Sequence, residues 1–171
     1  MSRRPRVVLI VDHPLRDIGG LSLVAGELAR QGVQVMLTPM AFQAEDCFTF
    51  APDLVAVNYI RNNNAPFIRR LLDARIKVSL LDTEGGFYGD LSKYTKVLCR
   101  DQDIWDRLES VLVWVEKMYE YFQREIGLPQ NLVKLTGVAR FDLYHPRHKM
   151  VSSDLSRKSI LANLNSESEN V

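Results

Sequence analysis

An α/β domain built on a mainly parallel sheet is what this sequence predicts, and three observations predict it. Short apolar runs of strand length alternate with helix-period segments along most of the chain. The clearest strand, Arg6 to Val11, is apolar from Val7 on without polar alternation, as a strand buried on both faces is. Polar residues crowd the points where the runs end, and open parallel sheets bind ligands in the crevice beyond those ends.

The elements follow in order. After the first strand, residues 15–31 read as a helix with Leu21, Val24, Ala25, Leu28 and Ala29 on one face and Gly32 as its stop. Residues 33–38 form a second strand, broken by Pro39. A third strand covers 55–58 and is introduced by Ala51-Pro52-Asp53. Residues 65–74 form a helix with Phe67, Ile68, Leu71 and Leu72 inward, opened by Asn64 as a cap and Pro66 in the first turn. A fourth strand follows over 76–81. Residues 103–108 make a short helix. The run 110–126 has two readings: a fifth strand over 111–115 with a helix over 116–126, or one long helix. Gly127 and Pro129 end it, and 132–136 is a last short strand.

The bulk numbers narrow the class. A chain of 171 residues suffices for one domain with a real core, and its 46% hydrophobic and 25% charged residues are ordinary for a globular protein. A net charge of +1 gives no reason to expect nucleic acid as a partner. The apolar run after the basic start spans only Val7 to Val11, too short for a signal peptide or a membrane span. The expected location is therefore cytoplasmic, and the basic start is compatible with peripheral contact at the inner face of the membrane. Cys47 and Cys99 lack metal-type spacing and are expected to be free thiols. No metal and no cofactor is called for. From His145 the composition turns Ser-, Asn- and Glu-rich, with an apolar patch at Ile160, Leu161 and Leu164. Residues 1–145 are thus read as the domain, and 146–171 as a tail or the truncated start of a second domain.

Four clusters at strand ends could carry chemistry. After the first strand stand Asp12, His13, Arg16, Asp17, Gly19 and Gly20; this is not GxGxxG, so no dinucleotide fingerprint is present. His13 fits a base, a ligand or a loop hydrogen-bonder, and Arg16 and Asp17 fit a site or a surface pair. After the third strand come Asn58, Arg61, Asn62 and Asn63, whose amides and guanidinium suit a polyhydroxylated, anionic ligand. After the fourth come Asp82, Thr83, Glu84, Gly85 and Gly86. Two carboxylates leaving a buried strand are costly to place unless paired or used, and the glycines allow close backbone approach. Glu84 stands ahead of Asp82 as a base for a sugar hydroxyl. The last cluster runs from Thr136 to Asp142 and includes Arg140; a tight turn with Phe141 over the core explains it equally well.

Two resemblances bear on these clusters. Val8 to Pro14 and Pro52 to Val57 look like a response-regulator receiver domain, but Asn58 stands where that family has its phosphorylated aspartate, so the chemistry is missing. Residues 6–145 resemble more closely the bacterial surface carbohydrate (lipopolysaccharide or capsule) biosynthesis proteins. The match is carried, in order, by residues 16–20, Asn58 to Asn63, Leu81 to Gly86 and Thr136 to Asp142. One departure is that Trp114 is followed by Val115 where the family tends to have glycine. The resemblance implies the N-terminal, Rossmann-like, acceptor-side half of a two-domain GT-B-type glycosyltransferase, with a nucleotide-sugar donor and a glycan acceptor as partners. It makes Glu84 the base, lets Asp82, Arg61, Asn62 and Asn63 orient the acceptor, and places His13 and Arg16 along the cleft. A non-catalytic binding domain and a nucleotide-sugar 2-epimerase fragment are the alternatives.

Overall fold

The computed structural model describes residues 3–83 and 89–145. Six parallel strands form one sheet: β1 (Arg6–Val11), β2 (Gln34–Pro39), β3 (Leu54–Val57), β4 (Lys77–Leu81), β5 (Ser110–Val113) and β6 (Val133–Leu135). Their order is β2-β1-β3-β4-β5-β6. The chain crosses from β1 to β2 on one side and then returns to place β3 on the other side of β1. The strand order therefore switches between β1 and β3, and a crevice opens beyond their carboxyl ends. This is a Rossmann-like α/β fold.

The crossover helices are distributed unevenly. A right-handed connection places α1 (Pro14–Arg30) on one face and all helices of the reverse direction on the other. The second group comprises α2 (Gln43–Phe50), α3 (Ala65–Asp73), α4 (Leu91–Val97), α5 (Gln102–Asp106) and α6 (Glu116–Arg124). Their inward residues, including Cys47, Ile68, Leu71, Tyr94, Trp105, Met118 and Phe122, join Val8, Ile10, Val55, Val57, Val78 and Leu80 in the larger core. The α1 face is thinner: Leu21 packs with Leu9, Val11 and Ala56, flanked by Val24 and Ala25. Of the described residues, those that come onto this face besides α1 belong to the turn into α7 (Ala139–Asp142), which packs against α1. Gly20 makes that approach: a Cβ there would lie 2.5 Å from the Arg140 backbone nitrogen.

Most predicted elements stand within a residue or two of their expected bounds, and several details differ. The 110–126 run is a strand followed by a helix, because Val111 and Val113 are needed in the sheet between β4 and β6. Pro39 does not break β2; it is the last paired residue, opposite Val11 at the sheet edge, where its missing N–H costs nothing. Asn64 stands at the helix start but does not cap it; its side chain accepts from the Arg61 N–H (2.8 Å) and donates to the Tyr59 carbonyl (2.8 Å). Ala29 faces solvent. Phe141 is largely exposed rather than covering the core.

Three α-helices escaped the sequence: α2, α4 and the four-residue α7, which reads as a turn. In α2 only Cys47 is buried, and Phe48 faces outward, so the segment has little periodicity to read. In α4, seven residues long, only Tyr94 is buried; Asp90 caps it by accepting from the Ser92 N–H at 2.9 Å.

The basic start is occupied with the fold. Arg3 forms an ion pair with Asp53, and Arg6 donates to the Phe50 carbonyl (2.7 Å) with its guanidinium over the Phe50 ring. Both cysteines are free and buried. No helix among the described residues is long and apolar enough to cross a membrane.

Candidate functional site

The carboxyl ends of β1, β3 and β4 bring the first three clusters to one edge of the sheet, and the β6–α7 turn closes on them from the side. Each strand stops where its apolar run meets a polar residue: Asp12, Asn58 and Asp82.

At the β1 end, Asp17 is 4% exposed, on the first turn of α1. Arg16 holds it with two hydrogen bonds, Nε to Oδ1 at 2.7 Å and Nη2 to Oδ2 at 2.9 Å, and reaches Asp12 Oδ2 at 2.8 Å. The His13 backbone N–H adds a bond to Asp17 Oδ2 at 3.0 Å. Burial alone pushes the Asp17 carboxyl up; the Arg16 and His13 hydrogen bonds and the charges of Arg16 and Arg140 outweigh it and hold the group below the usual carboxylate range. Arg16 in turn is raised, first by its bond to Asp17. This triad braces the start of α1. The His13 residue is exposed at the cap position.

At the β3 end, Asn58 is 3% exposed, and neither its amide nitrogen nor its amide oxygen has a hydrogen-bond partner. Arg61 lies with its guanidinium 4.5 Å from the centre of the Tyr59 ring, and its backbone bridges to Leu98. Asn62 and Asn63 are exposed in the turn before α3.

At the β4 end, Asp82 is 1% exposed. The Tyr94 hydroxyl from α4 donates to its Oδ1 at 3.2 Å, and the Trp114 indole N–H donates to its backbone carbonyl. Thr83 follows, 6% exposed, with its hydroxyl unpartnered. The Thr83 N–H donates to the Asn58 carbonyl at 3.3 Å, which continues the β3–β4 ladder past the strands. The Thr83 carbonyl accepts from Arg140 Nη2 at 3.0 Å. Arg140 is stacked 4.3 Å from the centre of the Trp114 ring, and Phe141 meets the same ring edge-on at 5.9 Å. Glu84, Gly85 and Gly86 lie outside the described residues.

The structure thus gathers Asp12, Arg16, Asn58, Asp82 and Arg140 at one edge, and sets Asn62 and Asn63 on the surface. Sequence reading missed Tyr94 and Trp114 as parts of the site, and named Thr83 in its cluster without giving its hydroxyl a role. Trp114 carried a signal, an indole directly after a strand, whose N–H needs a partner when buried. Tyr94 carried none. Arg16 and Arg140, expected to meet ligand, are both engaged in holding the protein's own loops. Among the described residues no group of three or more His, Cys, Asp or Glu side chains could hold a metal ion.

No family model matches the chain, and no curated protein matches it by sequence. Among solved structures it is similar to a UDP-GlcNAc 2-epimerase from Methanocaldococcus jannaschii, with a TM-score of 0.59 at 13% identity. The likeness covers 96% of this chain and 53% of that one, so the chain spans about half the length of the structure it matches. At that identity the likeness shows the fold.

Proposed function

We propose that this chain is one Rossmann-like half of an enzyme acting on a nucleotide sugar. The observation that carries the reading is the buried Asp82, immobilised by Tyr94 and Trp114 at the end of β4, beside the unpartnered polar groups of Asn58 and Thr83. Buried carboxylates and orphaned polar side chains cost stability, and their concentration at the ligand-binding edge of a parallel sheet is what a site for a polar ligand looks like.

The fold likeness to a UDP-GlcNAc 2-epimerase favours the epimerase alternative over sugar transfer. Inversion at a ring carbon needs a base that removes a proton, and transfer needs a base at an acceptor hydroxyl. A carboxylate beside the crevice serves either. Glu84 remains our base candidate and Asp82 its neighbour in the loop. His13, Arg61, Asn62, Asn63, Gly85, Gly86 and Arg140 stand as the wider set for binding. The transferase reading keeps one support of its own, the four ordered motifs resembling surface carbohydrate biosynthesis proteins, and with it a place in glycan assembly on the cytoplasmic side.

Calorimetric titration of the full chain with UDP-N-acetylglucosamine and with UDP tests the reading. Binding of the sugar nucleotide that is lost in Asp82→Asn is the expected result; no binding of either probe at millimolar concentration sinks it. Proton NMR of the bound sugar nucleotide without acceptor separates the two chemistries, since only an epimerase inverts a ring carbon there.

A further inference from the structure

We infer that Asn58 and Thr83 form a subsite that reads hydroxyl groups of the ligand's hexose, not its phosphates; the inference rests on the nucleotide-sugar reading above for the identity of the ligand. Both side chains are more than nine-tenths buried, and Asn58 Nδ2, Asn58 Oδ1 and Thr83 Oγ1 have no hydrogen-bond partner. Native proteins leave few such atoms, because each costs the desolvation of a polar group with no return. Here they fall on neighbouring strand ends, joined by the Thr83 N–H to the Asn58 carbonyl, next to the strand-order switch.

Their chemistry selects the ligand group. An amide and a hydroxyl each donate and accept, and so does a hydroxyl of the ligand's hexose ring. Phosphate oxygens at neutral pH only accept, and would leave Asn58 Oδ1 unmatched. The charges nearby point the same way: the strand ends carry Asp12 and Asp82 and the first turn of α1 carries Asp17, while Arg16 is engaged by Asp12 and Asp17 and Arg140 by the Thr83 carbonyl. Size agrees as well. On the Thr83 side, a cavity of about 20 Å³ lined by Asp17, Gly20, Leu81, Thr83 and Arg140, but not by Asn58, has room for one hydroxyl or one water and not for a phosphate.

The test uses the full chain labelled with nitrogen-15 at asparagine, observed by NMR while UDP-N-acetylglucosamine, free N-acetylglucosamine and UDP are added in turn. The Asn58 side-chain amide signal is expected to move with both sugar probes and to stay put with UDP. Thr83→Val, nearly the same shape, is expected to keep or raise Tm in the free protein and to weaken the sugar probes about tenfold, the loss of one hydrogen bond. If UDP-N-acetylglucosamine binds without moving the Asn58 signal, the subsite is overturned and the nucleotide-sugar reading stands. If free N-acetylglucosamine moves it while neither nucleotide binds, the subsite stands and that reading falls. If no probe moves it and Thr83→Val binds like wild type, the cavity holds a resident water only and the subsite is overturned.

Discussion

Asp17 shows how one residue can look like a site and serve as a brace. Its carboxylate is buried against Arg16 and the His13 N–H, which hold its pKa below the usual range despite the opposing effect of burial. The folded state therefore binds fewer protons than the unfolded state around pH 4, and stability rises with pH there. This contribution is complete above the unfolded carboxyl value and is lost as pH falls through the folded one. Asp17→Asn is expected to lower stability at pH 7 by about 2 kcal/mol, less than a fully buried pair costs because Arg16 is partly solvated. It should also flatten the acid limb, and urea melts between about pH 3 and 7 check both. Tyr94→Phe deletes the hydroxyl on Asp82 without changing the ring; a loss of about 1–3 kcal/mol is expected, the cost of leaving a buried acceptor without that partner. Thermal melts of the variant measure the loss.

At the scale of elements, the contact between α1 and α7 is decided by a missing atom. A Cβ on Gly20 would lie 2.5 Å from the Arg140 nitrogen and 2.7 Å from its Cα, both backbone atoms that cannot step aside. Gly20→Ala should cost about 1–3 kcal/mol and loosen Arg140 from Thr83. Gly26, on the same helix, has nothing within 4 Å of the same position. Gly26→Ala should therefore stabilise by about 0.5–1 kcal/mol through helix propensity alone. Opposite signs from one substitution on one helix, read in parallel urea melts, would show that packing and not propensity sets the first effect. On the other face, α6 holds by Met118, Tyr121 and Phe122. Phe122 is fully buried and meets Tyr94 and Trp105 at ring distances of 6.2 and 5.7 Å. The same side chain thus supports the helix that carries the Asp82 partner, and Phe122→Ala should cost about 3–5 kcal/mol and weaken ligand binding with it.

Over the whole molecule, the uneven covering of the sheet puts the stable core on the side of α2 to α6. Cys47 and Cys99 lie in it, and burial pushes the Cys47 thiol up to about 12. Neither thiol is expected to react with Ellman's reagent at pH 8 until the core opens, so the labelling rate should follow global unfolding and rise with urea. Fast labelling in buffer would contradict the packing described. The strands were legible without a structure because an apolar run is a local property: residues 6–11 or 77–81 declare themselves by composition. The polar ends of those runs, and so Asp12, Asn58 and Asp82, were legible for the same reason. Helices α2 and α4 were not, since each buries one side chain and leaves no period to count. Nor could the chain's own pattern say that Arg140 reaches Thr83 across 57 positions or that Trp114 holds Asp82 across 32. The sequence by itself determined a parallel sheet with its polar groups at the carboxyl ends. Only the tertiary structure decided which of those groups are tied up and which are left wanting a partner, because hydrogen bonds between distant residues depend on how elements pack and not on the spacing within any one of them.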